Sequence, residues 1–228
     1  MGDTGFWHRV WADGPTGRTG FGLAGPHPDL VAHAAAVFAG AARLLVPLCG
    51  RSPDLAWLAQ RWPEVVGVEL VERAVTGYAA EHSLTARQPP EGAFRRYSRP
   101  GLSILLGDFF EATPEVLGAF DGAWDRGALG ALPAELRPRY VRVLLGLLRP
   151  GARALLECYT FDQGRLPGPP YSVSEAELGR LFGDHRVRVV EDRTLTNDGR
   201  YPAVPLGRWR QRVYAVDVPS RLASGDDA

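Results

Sequence analysis

The sequence contains no lysine, one methionine and two cysteines. Because 26 basic residues, all arginine, balance 26 acidic ones, the chain carries no net charge that would favour nucleic acid or an anionic membrane. Cys49 and Cys158 lie far apart and each ends an apolar run, which predicts two buried thiols in a reducing compartment. The five histidines lack the spacing of metal ligands. With no apolar run of about 18 residues and no signal-peptide pattern, we expect a cytoplasmic protein that binds no metal and no membrane.

The chain of 228 residues is 45% hydrophobic and 23% charged, which is typical of a folded globular protein. A chain of this length can bury a core without disulfides or metals. We expect one domain over residues 1–218, followed by a small, polar, flexible tail over residues 219–228. Nothing in the sequence indicates an oligomer, so we expect a monomer.

Short apolar runs alternate with longer segments of helical periodicity from residue 28 onward. This alternation is typical of an α/β fold, in which helices cover both faces of a doubly wound, mostly parallel sheet. Ala93–Ser98 and Leu102–Leu106 flank a Pro-Gly turn and predict a hairpin. The last two predicted strands, at residues 187–192 and 212–218, have no helix between them, which indicates an antiparallel edge.

A glycine and a glutamate have the spacing of a nucleoside-binding site. Gly50 follows the first apolar run, and Glu69 lies near the end of the second, about 20 residues later. At this place in doubly wound folds, a carboxylate accepts ribose hydroxyls. The glycines of a pyrophosphate cradle are missing, which argues against NAD or FAD. S-adenosylmethionine has an adenosine without a phosphate and fits the pattern; the alternative is that Glu69 is a solvated carboxylate.

Three other side chains near the strand ends are candidates for binding the same molecule. Asp108 could accept from the adenine amino group, and Phe109 could stack on the base. Arg126 could hold a carboxylate such as the methionine tail of the cofactor. Each carboxylate or arginine has a structural alternative: Asp108 as a loop cap, and Arg126 in an ion pair with Asp125.

Two other segments flank the predicted strand ends. Trp7, Trp11 and Phe21 lie among glycines near the N-terminus. They belong either to a helix packed on the sheet edge or to a flexible cover over the cofactor. The proline-rich residues 167–171 follow the fifth strand and form either a substrate wall or a rigid connector.

Four motifs carry a resemblance to a known family: Leu45–Ser52 with its Pro-Leu-Cys-Gly turn, Val65–Glu69, Trp124–Leu129 and Pro167–Tyr171. In order and spacing they resemble the thiopurine S-methyltransferase family, over nearly the whole chain. The resemblance implies a class I S-adenosylmethionine-dependent methyltransferase fold. It also implies a seven-stranded sheet and an N-terminal cover over residues 1–27.

The resemblance further implies roles for single residues. Those expected to contact the cofactor are Trp7, Trp11, Leu48, Gly50, Glu69, Asp108, Phe109 and Arg126. Those expected to line the acceptor pocket are Phe21, Pro169, Pro170, Tyr171 and Arg200. Arg200, helped by Arg126, is expected to favour an anionic acceptor and so to act in catalysis. The chain departs from the family pattern between Trp11 and Phe21, at Gly22 and over residues 201–210, all on the acceptor side.

The leading interpretation is therefore a methyltransferase that acts by in-line displacement on a small heteroaromatic thiol. Methylation of a nitrogen in a heteroaromatic natural product, or of selenium or tellurium compounds, stays open because the departures concern the acceptor side. An alternative of another class is a non-catalytic protein that binds S-adenosylmethionine. The missing glycines disfavour a nicotinamide oxidoreductase. The small basic spot at Arg95, Arg96 and Arg99 disfavours a nucleic-acid methyltransferase.

Overall fold

The computed structural model describes residues 4–12, 24–87, 89–90, 92–196 and 208–220. Its helices are α1 (Thr4–Ala12), α2 (Pro28–Val37), α3 (Asp54–Ala59), α4 (Glu72–His82), α5 (Pro114–Leu117), α6 (Ala128–Ala131), α7 (Arg137–Leu147) and α8 (Glu175–Phe182). Its strands are β1 (Arg43–Pro47), β2 (Glu64–Glu69), β3 (Thr85–Ala86), β4 (Arg95–Arg99), β5 (Leu102–Leu106), β6 (Phe120–Arg126), β7 (Leu148–Thr160), β8 (Arg186–Leu195) and β9 (Trp209–Asp217).

One sheet contains these strands in the order β3-β4-β5-β2-β1-β6-β7-β9-β8. The five strands from β5 to β7 are parallel, as the alternation of apolar runs and helices predicts. β9 lies antiparallel to β7 and β8, which confirms the predicted antiparallel edge. The carboxyl ends of the five parallel strands therefore meet along one edge, where doubly wound folds bind their ligands.

The sheet of the described residues has nine strands, so the expected number of seven is wrong. The two additional strands are β3 and β4, which extend the edge beside β5. The hairpin of β4 and β5 was predicted, and it pairs Arg99 with Leu102 across the turn. β3 is only two residues long and exposed. It carries no alternation that sequence reasoning could detect, because its pairing with β4 alone makes it a strand.

Helices cover both faces of the sheet, which confirms the doubly wound architecture. On one face, α2, α3 and α4 pack through residues such as Leu30, Leu55 and Val75. On the other, α7 and α8 pack through residues such as Leu144 and Phe182. Among the described residues, no helix has both the length and the apolar character to span a bilayer.

Candidate active site

The loop after β1 is a tight turn with two residues in the left-handed region. Leu48 has a φ of 48° and Gly50 a φ of 53°. A leucine rarely adopts this conformation, and such backbone strain clusters at ligand-binding turns. Cys49 between them is buried, and its N–H donates to the Val68 carbonyl oxygen at 3.0 Å. The predicted break at Gly50 is therefore a turn anchored to β2.

Glu69 closes this turn from the neighbouring strand. Its Oε2 accepts from the Gly50 N–H and its Oε1 from the Val71 N–H, both at 2.8 Å. The residue is only 7% exposed, so the alternative of a solvated carboxylate is wrong. Burial raises the pKa of Glu69, and the two backbone N–H bonds and the charge of His8 oppose that shift. A carboxylate has about four lone-pair sites, so both oxygens can still accept from a ligand.

Helix α1 lies against this turn. A Cβ on Gly50 would stand 2.6 Å from Trp11 Cζ2, so the indole ring can rest on the turn only because residue 50 has no side chain. His8 of the same helix contributes charge at Glu69. Trp7 makes an edge contact with Phe6 at 5.1 Å between ring centroids. The expected helix near the N-terminus thus lies at the ends of β1 and β2.

Asp108 and Phe109 follow β5, and the structure separates their environments. Asp108 is exposed, and its Oδ1 accepts from the Phe110 N–H at 2.9 Å, so it does cap a short 3-10 helix. Phe109 is 4% exposed, with its ring 5.2 Å from that of Tyr140. Phe109 therefore lies in the core and presents no open face on which a base could stack.

Asp125 and Arg126 end β6 and project to opposite faces of the sheet, as consecutive strand residues do. Asp125 accepts from the Tyr140 hydroxyl and from the Ala128 N–H, both at 2.7 Å. Arg126 Nε lies 3.9 Å from Glu157 Oε2 on the other face. The acidic partner of Arg126 is thus Glu157, and the alternative of an ion pair with Asp125 is wrong.

The environment of Asp125 leads to a prediction about pH. Burial raises its pKa from 3.8 to about 6, although the Tyr140 hydroxyl and the Ala128 N–H lower it. Because the folded pKa exceeds the unfolded one, the stability from this carboxyl is complete below about pH 4 and is lost as the pH rises through 6. Urea unfolding from pH 4 to 7 should show the free energy of unfolding of the wild type falling by about 3 kcal/mol relative to Asp125→Asn. Parallel stability curves for the two proteins would contradict this prediction.

A buried polar cluster, the His27 cluster (His27, Asp29, Glu157 and Gln211), lies beneath Arg126. His27 Nε2 contacts Glu157 Oε1 at 2.9 Å, and the His27 ring lies beside Trp124. Gln211 contacts both carboxylates. Sequence reasoning missed this cluster, because its members come from α2, β7 and β9 and only the sheet brings them together. The single signal was a glutamate, Glu157, inside the apolar run of β7.

The His27 cluster has the residue types of a metal site, since three of its ligand atoms lie within 4.8 Å of one another. Protein donors already occupy these atoms: Gln211 and Tyr159 donate to Glu157, and Arg193 pairs with Asp29. A cation would have to displace an arginine and an amide. The arrangement is that of a hydrogen-bonded network.

The proline-rich loop after β7 is held by the segment that follows β6. The Tyr171 N–H donates to the Gly130 carbonyl oxygen at 2.6 Å. Pro170 is buried, while Pro169 and Tyr171 are partly exposed. Arg137, only 2% exposed, fixes the base of this loop through the Ser172 carbonyl oxygen at 3.2 Å. Phe21 and Arg200, the other expected acceptor residues, lie outside the described residues.

The geometry can be compared with known proteins. The profile described as "Thiopurine S-methyltransferase (TPMT)" matches residues 2–218. A thiopurine S-methyltransferase of Azotobacter vinelandii is 40% identical over 215 residues, covering 93% of this chain and 97% of the relative. One from Legionella pneumophila strain Corby is 38% identical over 178 residues, covering 78% and 79%.

Among solved structures, the Burkholderia thailandensis 1,6-didemethyltoxoflavin-N1-methyltransferase superposes with a TM-score of 0.63. Its identity is 18%, over 94% of this chain and 86% of that one, and it contains S-adenosylhomocysteine. The fold and the site at the strand ends thus define an S-adenosylmethionine-dependent methyltransferase of class I. The chain belongs to the thiopurine S-methyltransferase family, which sets aside the non-catalytic alternative.

Proposed function

We propose that the enzyme moves the methyl group of S-adenosylmethionine to a heteroaromatic thiol of the thiopurine kind. The observation that carries the cofactor assignment is Glu69, whose buried carboxylate ties the turn after β1 to the end of β2. The name of the relatives at about 40% identity supports the acceptor. The departures from the family pattern all concern the acceptor side.

The residues at the strand ends fit this cofactor. Each oxygen of Glu69 accepts one backbone N–H and can still accept a ribose hydroxyl. Leu48 and Gly50 form a turn too narrow in glycine for a pyrophosphate but suitable beside an adenosine. Asp108 is exposed at the end of β5, where it can accept from an adenine amino group. Trp7, Trp11 and the rest of α1 would cover the cofactor, and Arg126 would bind its carboxylate.

When bound, the cofactor supplies a methyl group on a sulfonium, which transfers without a metal. The protein then has to align the acceptor with that methyl group and exclude water. We assign the exclusion of water to α1, which already rests on the turn after β1. A lid of this kind closes a site without taking part in the chemistry.

The acceptor side would be lined by Pro169, Pro170 and Tyr171, on the loop held by Gly130 and Arg137. Phe21 and Arg200 join them in the proposal on the strength of the family resemblance alone. Arg200 and Arg126 would favour the thiolate form of the acceptor. Heteroaromatic thiols ionise readily, so this proposal needs no dedicated general base.

A second candidate is methylation of a nitrogen in a heteroaromatic compound. It is favoured by the solved structure with a similar fold, which is an N1-methyltransferase. The same arrangement of strand ends serves both reactions, because the acceptor atom is chosen by the pocket and not by the cofactor site.

A panel of acceptors separates these candidates. Release of S-adenosylhomocysteine is measured with heteroaromatic thiols, with matched nitrogen heterocycles and with selenite. We expect turnover of the thiols, with at least tenfold lower kcat/KM for the matched heterocycles. Turnover of a nitrogen heterocycle alone would overturn the thiol assignment and leave the cofactor site intact.

We also propose that the protein is a cytoplasmic monomer. Cys49 and Cys158 are both free and buried, as expected of thiols in a reducing compartment. Burial raises the pKa of each thiol well above its ordinary value, so neither is suited to act as a nucleophile at neutral pH.

A further inference from the structure

Glu157 is a buried acid directly beside the arginine at the end of β6. The two residues are partners in the register of β6 and β7. Glu157 is 1% exposed, and its Oε2 lies 3.9 Å from Arg126 Nε. An acid buried to this extent is costly unless charged or polar partners compensate it.

The other oxygen of Glu157 is held from three sides. Its Oε1 contacts His27 Nε2 at 2.9 Å, accepts from the Tyr159 hydroxyl at 2.8 Å, and accepts from the Gln211 amide. These partners come from the start of α2, from β7 itself and from β9. Three contacts on one oxygen leave the carboxylate little freedom to rotate, so Oε2 is kept on the side of Arg126.

The charge of Glu157 is also preserved. Burial alone raises the pKa of this carboxyl, but the hydrogen bond and charge of His27, the charge of Arg126 and the Tyr159 hydroxyl together bring it below its ordinary value. A fixed anion therefore faces the guanidinium at neutral pH. Contact at Nε leaves the two terminal nitrogens of the guanidinium as a fork that matches a carboxylate.

We propose that Glu157 is a positioning residue, which orients Arg126 so that its terminal nitrogens receive the carboxylate of the cofactor's amino-acid tail. The proposal rests on the proposed function, in which Arg126 binds that carboxylate. It adds a network from α2 and β9 that decides the direction of the arginine. Binding of the tail then depends on residues that never touch the cofactor.

Two ligands separate this role from a general effect on the fold. S-adenosylhomocysteine has the amino-acid tail, whereas 5′-methylthioadenosine has the same nucleoside and sulfur without it. Isothermal titration calorimetry of Glu157→Gln should show about tenfold weaker binding of S-adenosylhomocysteine and less than twofold change for 5′-methylthioadenosine. Unchanged or tighter binding of S-adenosylhomocysteine would overturn the proposal, and so would an equal loss for both ligands.

A milder variant covers the case in which Glu157→Gln does not fold. Tyr159→Phe removes one donor to Oε1 and keeps the ring that packs on Trp209. We expect it to weaken S-adenosylhomocysteine about threefold and to leave 5′-methylthioadenosine unchanged; no selective loss in this variant would overturn the proposal. The matched control is Glu191→Gln, which neutralises a partly exposed acid paired with His33 and Arg193 and should change neither affinity.

Arg126→Met distinguishes failure of this inference from failure of the assignment beneath it. If Arg126→Met weakens S-adenosylhomocysteine selectively and Glu157→Gln does not, Arg126 binds the tail without help from Glu157. If Arg126→Met has no selective effect, the role of Arg126 in the proposed function is wrong, and the positioning role is wrong with it.

Discussion

Glu69→Gln should weaken the binding of S-adenosylhomocysteine by about 50-fold. Hydrogen bonds to a charged acceptor contribute about 1.5–3 kcal/mol each, and the proposed ribose contacts lose that charge. The glutamine amide also has one acceptor oxygen in place of two, so either the Gly50 or the Val71 N–H loses its present partner. The turn after β1 then loses part of its attachment to β2, which adds to the loss. Isothermal titration calorimetry measures the effect directly.

The matched control for this variant is Glu72→Gln, three residues further along the chain. Glu72 begins α4, its side chain is 62% exposed and it pairs with Arg95 at the surface. Exposed pairs of this kind contribute little, so we expect less than a twofold change in affinity. If folded Glu69→Gln binds S-adenosylhomocysteine within twofold of the wild type, Glu69 does not bind the ribose.

Arg137→Met should lower the free energy of unfolding by about 3–5 kcal/mol, because it removes one partner from a buried, charged network. Arg137 Nε donates to the carbonyl oxygens of Leu129 and Leu132, both at 3.0 Å. Its Nη1 donates to the Ser172 carbonyl oxygen and to Glu177 Oε1, the latter at 2.7 Å. One side chain thus joins the segment after β6, the loop after β7 and α8.

Urea unfolding of Arg137→Met is compared with that of Arg139→Gln. Arg139 lies on the same helix, but its side chain is 52% exposed and pairs with Glu111 at the surface. We expect its loss to change stability by less than about 0.5 kcal/mol. A loss below about 1 kcal/mol for Arg137→Met would show that the buried arginine is not what holds these three segments together.

The same contact predicts why the acceptor loop is rigid. Tyr171 donates its N–H to Gly130, and Gly130 belongs to the segment that Arg137 fixes. The family resemblance identified the proline-rich loop but not the arginine beneath it. Arg137 lies at the start of a predicted helix, where an arginine is most often solvated, so nothing in its sequence context distinguished it.

Much of the fold was predictable because buried parallel strands are short apolar runs between amphipathic helices. The runs ending near Cys49, Glu69 and Cys158 are strands in the structure, and the antiparallel edge follows from two runs without a helix between them. The hairpin of β4 and β5 was predictable from its turn. β3 was not, because a two-residue strand is defined only by its neighbour.

The site was predictable to the extent that it lies at the strand ends. Gly50 and Glu69 could be paired from their spacing, because the order of elements brings β1 and β2 together. The partners of Asp125 and Arg126 could not, because adjacent residues in a strand face opposite sides and each side is covered by a different set of helices. Spacing said where Arg126 lies along the chain, and nothing about Glu157 across from it.

By itself the sequence determined the class of fold, the edge of the sheet that carries the site and the family, because apolar periodicity and short motifs are local properties of the chain. The tertiary structure alone decided which side chains meet. Residues separated by as much as 182 positions, Asp29 and Gln211, come into contact only after the sheet has formed. Burial then sets the charge states at Glu69, Asp125 and Glu157, because the cost of a buried charge depends on the donors that surround it.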